Sequence, residues 1–488
     1  MRRTAAARSL RSYVPERLLF GLGSLIFVFG GVGPNSAWAF GAAVVFVLGT
    51  RWLWRPGEPP ILLYVFFFQW MQVSLPIFHA NWMGLSLNEY GEVRGNAEFA
   101  AWLSLAAMAL LAAGMRLGAR GPSRQAVEAA RQQARSLRAG TVFRVYFVAF
   151  AAAGVAQSVA GYGGGLTQPL LAVAGIRWTL FFVLAYVCFL QGAAASRYWI
   201  MAFALELGLS LGGFFSGFRT VFMFTLFAMF AAGVRIRPRQ ALGLGAFGVL
   251  LLGMGVVWTA VKMDYRDYLS GGTGQQVITV PYGERLAKLG ELVAALDGPA
   301  LVDGFQTMLF RIGYIGYFAK VLDRVPAQFP HTEGAIWGDA ILRPLMPRLL
   351  FPDKPVVDDS ERTAYYTGDR INPGTSVSIG WLAEAYIDFG VFGTLAVSLG
   401  YGYLLGWLYR WLLRGRYTKG LLGMGIGSAV LFGASAFESS ATKLIAGLAV
   451  GLLATWVFAR WIVPHSVPWL RPRGSRRAIA GPAPGPVA

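Results

Sequence analysis

Glu384 and Asp388 stand four residues apart in Trp381-Leu-Ala-Glu-Ala-Tyr-Ile-Asp388. On a helix that spacing puts both carboxylates on one face, where they repel and call for cations or a raised pKa. A carboxylate so placed can act as general base toward a hydroxyl. His331, in Pro330-His331-Thr332-Glu333, is a second candidate base. Cations are spread along the chain. Arg219 lies in Gly217-Phe218-Arg219-Thr220, Arg311 sits among Phe310, Ile312 and Tyr314, Arg343 and Arg348 flank Pro344 and Pro347, and Lys354 follows. Glu438 and Lys443 bracket a short polar stretch between two apolar runs. Guanidinium forks bind phosphate oxygens in bidentate fashion and keep their charge. One or two carboxylates beside several such cations suit a group transfer whose leaving group is a diphosphate.

Each residue also has a plainer reading. A charge at the end of a membrane span can snorkel to the interface, as Arg219 could. Arg311 could pair with Asp303 or Glu384, Glu384 and Asp388 could form structural salt bridges, and Glu438 and Lys443 could pair locally. Arg343 and Arg348 could form a solvated rim, and His331 could be an ordinary loop residue. Glu206 lies inside an apolar run with no obvious partner. Asp358-Asp359 is a metal candidate by adjacency alone, but no His/Cys/Asp spacing resembles a metal site, and the single Cys188 excludes a disulfide framework.

The elements that must position these residues are membrane helices. Of 488 residues, 56% are apolar and 14% charged, with a mean hydropathy of +0.52. Apolar stretches, each about long enough to cross ~30 Å of hydrocarbon, predict spans at 17–33, 36–54, 61–78, 97–117, 142–160, 178–195, 198–214, 216–233, 241–260, 390–412, 418–436 and 441–462. Strand-like alternation is absent, so helices rather than a barrel must satisfy the backbone. The fold class is therefore all-α and polytopic, with about twelve transmembrane helices. The chain divides into N-terminal spans over 1–260, a large outer loop over 261–389, C-terminal spans over 390–463 and a disordered tail over 464–488.

Charge sets the orientation. With the N-terminus inside, the inner segments hold 27 Lys and Arg against 3 acidic residues, and the outer segments 16 against 20. The net charge of +19 thus reads as positive-inside topology rather than nucleic-acid binding, and both termini fall in the cytoplasm. Residues 1–17 read as an uncleaved anchor, and 118–141 as an interfacial helix on anionic lipid.

A loop as long as 261–389 is uncommon without function. Its helical patches, 283–297, 303–324 and 333–350, are punctuated by proline, which predicts a compact cap. The patch 303–324 could be re-entrant or lie flat at the interface. Outside a bacterial membrane there is neither ATP nor nucleotide sugar, so a transfer there needs a donor already activated, such as a sugar on a polyprenyl diphosphate.

The stretches Pro347-Arg348-Leu-Leu-Phe351-Pro352-Asp353-Lys354-Pro355, Gly374-Thr375-Ser376 and Glu384-Ala-Tyr-Ile-Asp-Phe389-Gly390-Val-Phe-Gly393, with Gly-Phe-Arg219, resemble the Wzy-type oligosaccharide repeat-unit polymerases, relatives of the O-antigen ligases. The resemblance covers the architecture of most of the chain, and at residue level only 217–220 and 343–393. It implies a GT-C-like glycosyltransferase at the outer face of the bacterial inner membrane. Such an enzyme moves a growing glycan from undecaprenyl diphosphate to the non-reducing end of the next lipid-linked repeat unit. Arg219, Arg311 and Arg348 would hold the diphosphates, assisted by Lys354, with Glu384 or Asp388 as base. No cofactor and no metal is implied. The implied partners are the undecaprenyl-diphosphate-linked oligosaccharide and membrane lipid, with a chain-length regulator and a flippase as candidates. Transfer to another acceptor, as in a ligase, and a lipid-glycan flippase or transporter are the alternatives. An inverted repeat and broken mid-depth helices would favour a transporter, and neither is evident.

Overall fold

A computed structural model describes residues 16–90, 96–121, 124–160, 167–211, 217–234, 238–273, 279–346, 350–351, 353–354, 358–371, 377–415, 418–436 and 438–463. The predicted N-terminal anchor before residue 16, the tail from 464, Arg348, Pro352, Pro355 and the Gly374-Thr375-Ser376 stretch lie outside them.

Among the described residues the chain is all-helical. Eighteen α-helices follow in order: α1 Glu16–Gly30, α2 Ser36–Leu53, α3 Ile61–Trp82, α4 Ala97–Gly118, α5 Arg124–Ser136, α6 Ala139–Ala160, α7 Thr167–Gln191, α8 Ala193–Leu211, α9 Phe218–Ala232, α10 Pro238–Ser270, α11 Tyr282–Ala294, α12 Gly298–Ile312, α13 Ile315–Arg324, α14 Ala335–Leu342, α15 Asp359–Thr367, α16 Gly380–Arg414, α17 Leu421–Phe432 and α18 Ala441–Val457. Eight of them are long and apolar enough to cross a membrane: α2, α3, α4, α6, α7, the 248–270 part of α10, α16, and α18 with its continuation to Ile462. Gly21–Gly30, Phe218–Ala232 and Leu421–Ser435 are apolar but shorter. The protein is a multi-pass helical membrane protein, and every predicted span falls on a helix.

One boundary moves in a way that matters. The predicted span 178–195 is the helix Thr167–Gln191, which ends at Gly192 with φ +85°. Arg177, expected outside the span, is therefore inside the helix. Its Nε lies 3.6 Å from Glu206 Oε1, which also accepts a 3.0 Å hydrogen bond from the Tyr146 hydroxyl. Glu206 thus has two partners. An unpaired carboxylate at this depth would be costly.

The closest helix packing joins α4 to α16. A Cβ built on Gly114 would come 2.2 Å from the Leu399 carbonyl oxygen, and one on Gly118 2.2 Å from that of Tyr403. Gly402 and Gly406 make the same approach, at 2.2 Å, to Leu111 and Met115. Two Gly-xxx-Gly pairs interlock, so the helices run parallel with backbones in contact, as small residues allow in membranes.

α16 is two helices. Gly390 adopts φ 65° and ψ −158°, which is not helical and which a side chain would strain. The kink falls where the predicted outer loop meets the predicted span. Between α10 and α16, α11 to α15 form the helical cap. The predicted patch 303–324 is broken at Gly313-Tyr314 into α12 and α13. α12 lies along α10, where a Cβ on Gly304 would stand 3.0 Å from that of Ala260. The patch is therefore not one continuous helix. α5 is amphipathic, burying Ala126, Val127, Ala130 and Ala134, and Gln133 Oε1 accepts from the Leu421 amide at 2.9 Å.

Candidate functional site

The charged residues gather where α3, α15, α16 and α18 meet the 433–440 segment. α3 is apolar throughout except for a few polar residues, of which Gln69 and Gln72 face inward and are buried. Gln69 Nε2 donates to the Ala434 carbonyl at 2.6 Å, and Gln72 Nε2 donates to Glu438 Oε2. The Gln72 carbonyl accepts from the Tyr314 amide at 3.2 Å, at the break between α12 and α13. Both amides therefore stitch the cap and the 433–440 segment to one membrane helix.

Glu384 is fully buried. Its Oε1 accepts from Arg362 Nη1 at 2.6 Å, and its Oε2 from the Ala441 amide at 2.6 Å, the first residue of α18. Asp359 stands beside it. Asp359 Oδ2 pairs with Lys443 Nζ at 2.8 Å and accepts from Ser440 Oγ at 3.0 Å. Two carboxylates and two cations thus converge on the N-terminus of α18, whose unpaired amides favour negative charge. The Asp359 Oδ1 atom is buried without a hydrogen-bond partner. The adjacent Asp358 caps α15 through the Ser360 amide at 2.8 Å, so this acidic pair is a cap and an ion pair rather than a metal pair.

Asp388 does not join Glu384. Its Oδ1 accepts from Thr332 Oγ1 and from the Ile336 amide at 3.1 Å, and its Oδ2 from the Trp337 amide at 2.7 Å. It caps α14 from across the fold, so its oxygens are committed to backbone and hydroxyl donors. His331 is nearby, with Nδ1 3.2 Å from the Ile387 carbonyl and its ring against Tyr386. A Cβ at Gly390 would stand 3.3 Å from its Nε2. His331 and Asp388 come together around the kink of α16, where they hold the cap.

The remaining predicted residues separate. Arg343 Nε pairs with Asp339 Oδ2 at 2.6 Å, and Lys354 Nζ donates to the Arg343 and Met346 carbonyls. Those two residues tie a loop together. Arg311 is exposed at the end of α12 and forms no ion pair with Asp303 or Glu384. Arg219 lies with its guanidinium over the Phe68 ring at 4.5 Å and the Phe432 ring at 5.8 Å. No carboxylate pairs with it among the described residues. Tyr64, stacked on Phe432 with centroids 5.2 Å apart, is within electrostatic reach of both Arg219 and Glu438.

Glu438 is the exposed carboxylate of the group. Tyr314 is buried and faces it. Burial, then the neighbouring Tyr317 and the carboxylates of Glu438, Asp359 and Glu384, push the Tyr314 phenol upward. It therefore stays protonated and can donate.

The 433–440 segment also walls an open groove of about 320 Å³ between α7, α17 and α18. The groove is lined by Leu171, Ile176, Val430, Leu444 and Leu448, with Ser439 and Lys443 among its polar groups. An apolar trough reaching a lysine that belongs to a charged cluster can take an amphiphile with an anionic head.

Sequence reasoning missed Arg362, Tyr314, Gln69 and Gln72. The two glutamines carried a signal, being amides three residues apart on a membrane helix. Arg362 carried none, since it is one of several charges in a polar loop.

Residues 297–449 match the family model of a domain of unknown function, DUF8712. The matched region includes Asp359, Arg362, Glu384, Glu438 and Lys443, and leaves out Arg219. No curated protein and no solved structure matches the chain.

Proposed function

We propose that the protein is a GT-C-like membrane glycosyltransferase of the repeat-unit polymerase kind, acting at the outer face of the bacterial inner membrane. It would cross the membrane about twelve times, with both termini in the cytoplasm. The observation that carries the reading is the apolar groove running to Lys443, with the exposed Glu438 on the same segment.

In this reading the groove takes part of the prenyl chain of undecaprenyl diphosphate. Lys443 and the unpaired cations Arg219 and Arg311 neutralise the diphosphate, with Arg348 as a further candidate. The terminal hydroxyl of the acceptor repeat unit attacks the anomeric carbon of the donor. Its proton passes to a carboxylate, the new glycosidic bond forms, and the bond to the diphosphate oxygen breaks, releasing undecaprenyl diphosphate. Glu438 fits the base better than Glu384 or Asp388. Its carboxylate is exposed, whereas theirs are buried and fully engaged.

The test is glycan chain length in cells lacking the protein. Loss of long polymer with single lipid-linked repeat units remaining supports the polymerase. Normal polymer that stays on the carrier lipid points to transfer onto another acceptor. Accumulation of repeat units on the inner leaflet would make the protein a flippase and remove the assigned site.

A further inference from the structure

At the opposite end of α16 from Glu384, five arginines converge on one cavity. It measures about 770 Å³ and takes Arg51 from the end of α2, Arg55 from the turn that follows, Arg116 from the last turn of α4, Arg120 from just beyond it, and Arg124 from the start of α5. Among the described residues, Glu58 is the one carboxylate lining it. Glu58 is buried and already engaged, since it accepts from the Tyr409 hydroxyl at 2.9 Å and lies 3.9 Å from Arg55 Nη1. Arg51, Arg116, Arg120 and Arg124 form no ion pair among the described residues.

Positive-inside topology accounts for the number of arginines on a face but not for their convergence. The four unpaired arginines are exposed; like charges gathered around one hollow repel, and an anion bound among them relieves that repulsion. The walls are ordered in advance. The Arg116 guanidinium lies over the Trp52 ring at 5.6 Å, and Arg55 Nη1 reaches the Gly121 carbonyl at 3.5 Å. Trp52 and Trp54 also line the cavity, and tryptophans of this kind mark the headgroup level of a bilayer.

We propose that this cavity binds a phosphate-bearing anion at the membrane surface opposite the polar cluster, with the phosphate oxygens held by Arg51, Arg116, Arg120 and Arg124. Guanidinium forks match that geometry, and a hollow wide enough for four arginines suits two phosphates better than one. Two sources share the chemistry: the headgroup of an anionic phospholipid and a soluble diphosphate. This assignment does not depend on the proposed glycan transfer.

The experiment uses the full chain in phosphatidylcholine nanodiscs. Cardiolipin, phosphatidylglycerol or inorganic diphosphate is added, and bound anion is counted by native mass spectrometry alongside the thermal midpoint. Retention of cardiolipin or phosphatidylglycerol without a diphosphate effect supports the lipid source, and a diphosphate effect alone supports the soluble one. Each surface-facing arginine adds about fivefold to anionic-lipid affinity, so Arg116→Gln with Arg120→Gln should weaken binding by at least about tenfold. Lys288→Gln, in the cap, should change nothing. As a check independent of the variants, binding to the wild-type chain should fall as salt rises. No preference for any of the three anions over phosphatidylcholine, or equal binding by wild type and the double variant, overturns the site.

Discussion

At the residue scale, the two carboxylates that the sequence sets four apart serve different ends. Glu384 holds the Arg362 side chain and the α18 N-terminus, and Asp388 caps α14. Removing one partner of a buried ion pair leaves the other charge without compensation, at about 3–5 kcal/mol. Arg362→Ala should therefore lower the thermal midpoint clearly in detergent, while Glu384→Gln, which can still accept from Ala441, should cost less. An Arg362→Ala protein as stable as wild type would show that the pair holds nothing together. Asp388→Asn should act on stability too, by about 1 kcal/mol as caps do. Glu438→Gln is expected to behave oppositely. A glutamine there can still accept from Gln72, so the fold should hold, while losing the proposed general base should slow transfer by ~10²–10⁴. Polymer assays on membranes would read this, with the midpoint unchanged. Full activity in Glu438→Gln would move the base elsewhere.

At the element scale, the α4–α16 contact is the most sensitive to substitution. Gly402 and Gly406 have carbonyl oxygens where a Cβ would go, whereas Gly400, on the same helix, has open space. Overpacking costs about 1–3 kcal/mol even where side chains can give way, and here the obstacle is backbone. Gly402→Val should therefore sharply reduce the yield of folded protein. Gly400→Ala should be neutral or stabilising by about 0.5–1 kcal/mol. Size-exclusion profiles of the two variants would check this, and equal profiles would contradict the interlock. The kink at Gly390 belongs to the same scale. It lets one continuous segment serve first as a wall of the cap and then as a membrane helix.

At the scale of the whole molecule, the charged cluster and the arginine cavity lie at opposite ends of α16. The proposed topology puts the cap outside and the arginines inside. The single cysteine, Cys188, is buried, so labelling can start from a Cys188→Ala background. A cysteine at Leu286, on the exposed part of the cap, should react with an impermeant maleimide added to intact spheroplasts. One at Gln125, exposed on α5, should react only after lysis. The reverse pattern would invert the protein and detach the proposed chemistry from the outer face.

The helical character of the predicted spans, the amphipathic α5 and the helices that precede α16 were legible in the sequence, because each follows from local hydropathy or composition, whereas the start of α7 at Thr167 was not. Hydrocarbon thickness and backbone satisfaction act on consecutive residues. Which charge meets which was not legible. Arg362 reaches Glu384 across 22 positions and Gln72 reaches Glu438 across 366, and a list of residue types offers many equivalent pairings. The tertiary structure chose among them, because a charge taken out of water is tolerated only beside a well-placed partner. The same rule gave Glu206 its arginine and left Glu438, at the surface, free of a cation among the described residues. By itself, then, the sequence determined a many-helix membrane protein. Packing alone decided which of its carboxylates are buried in ion pairs and caps and which is exposed.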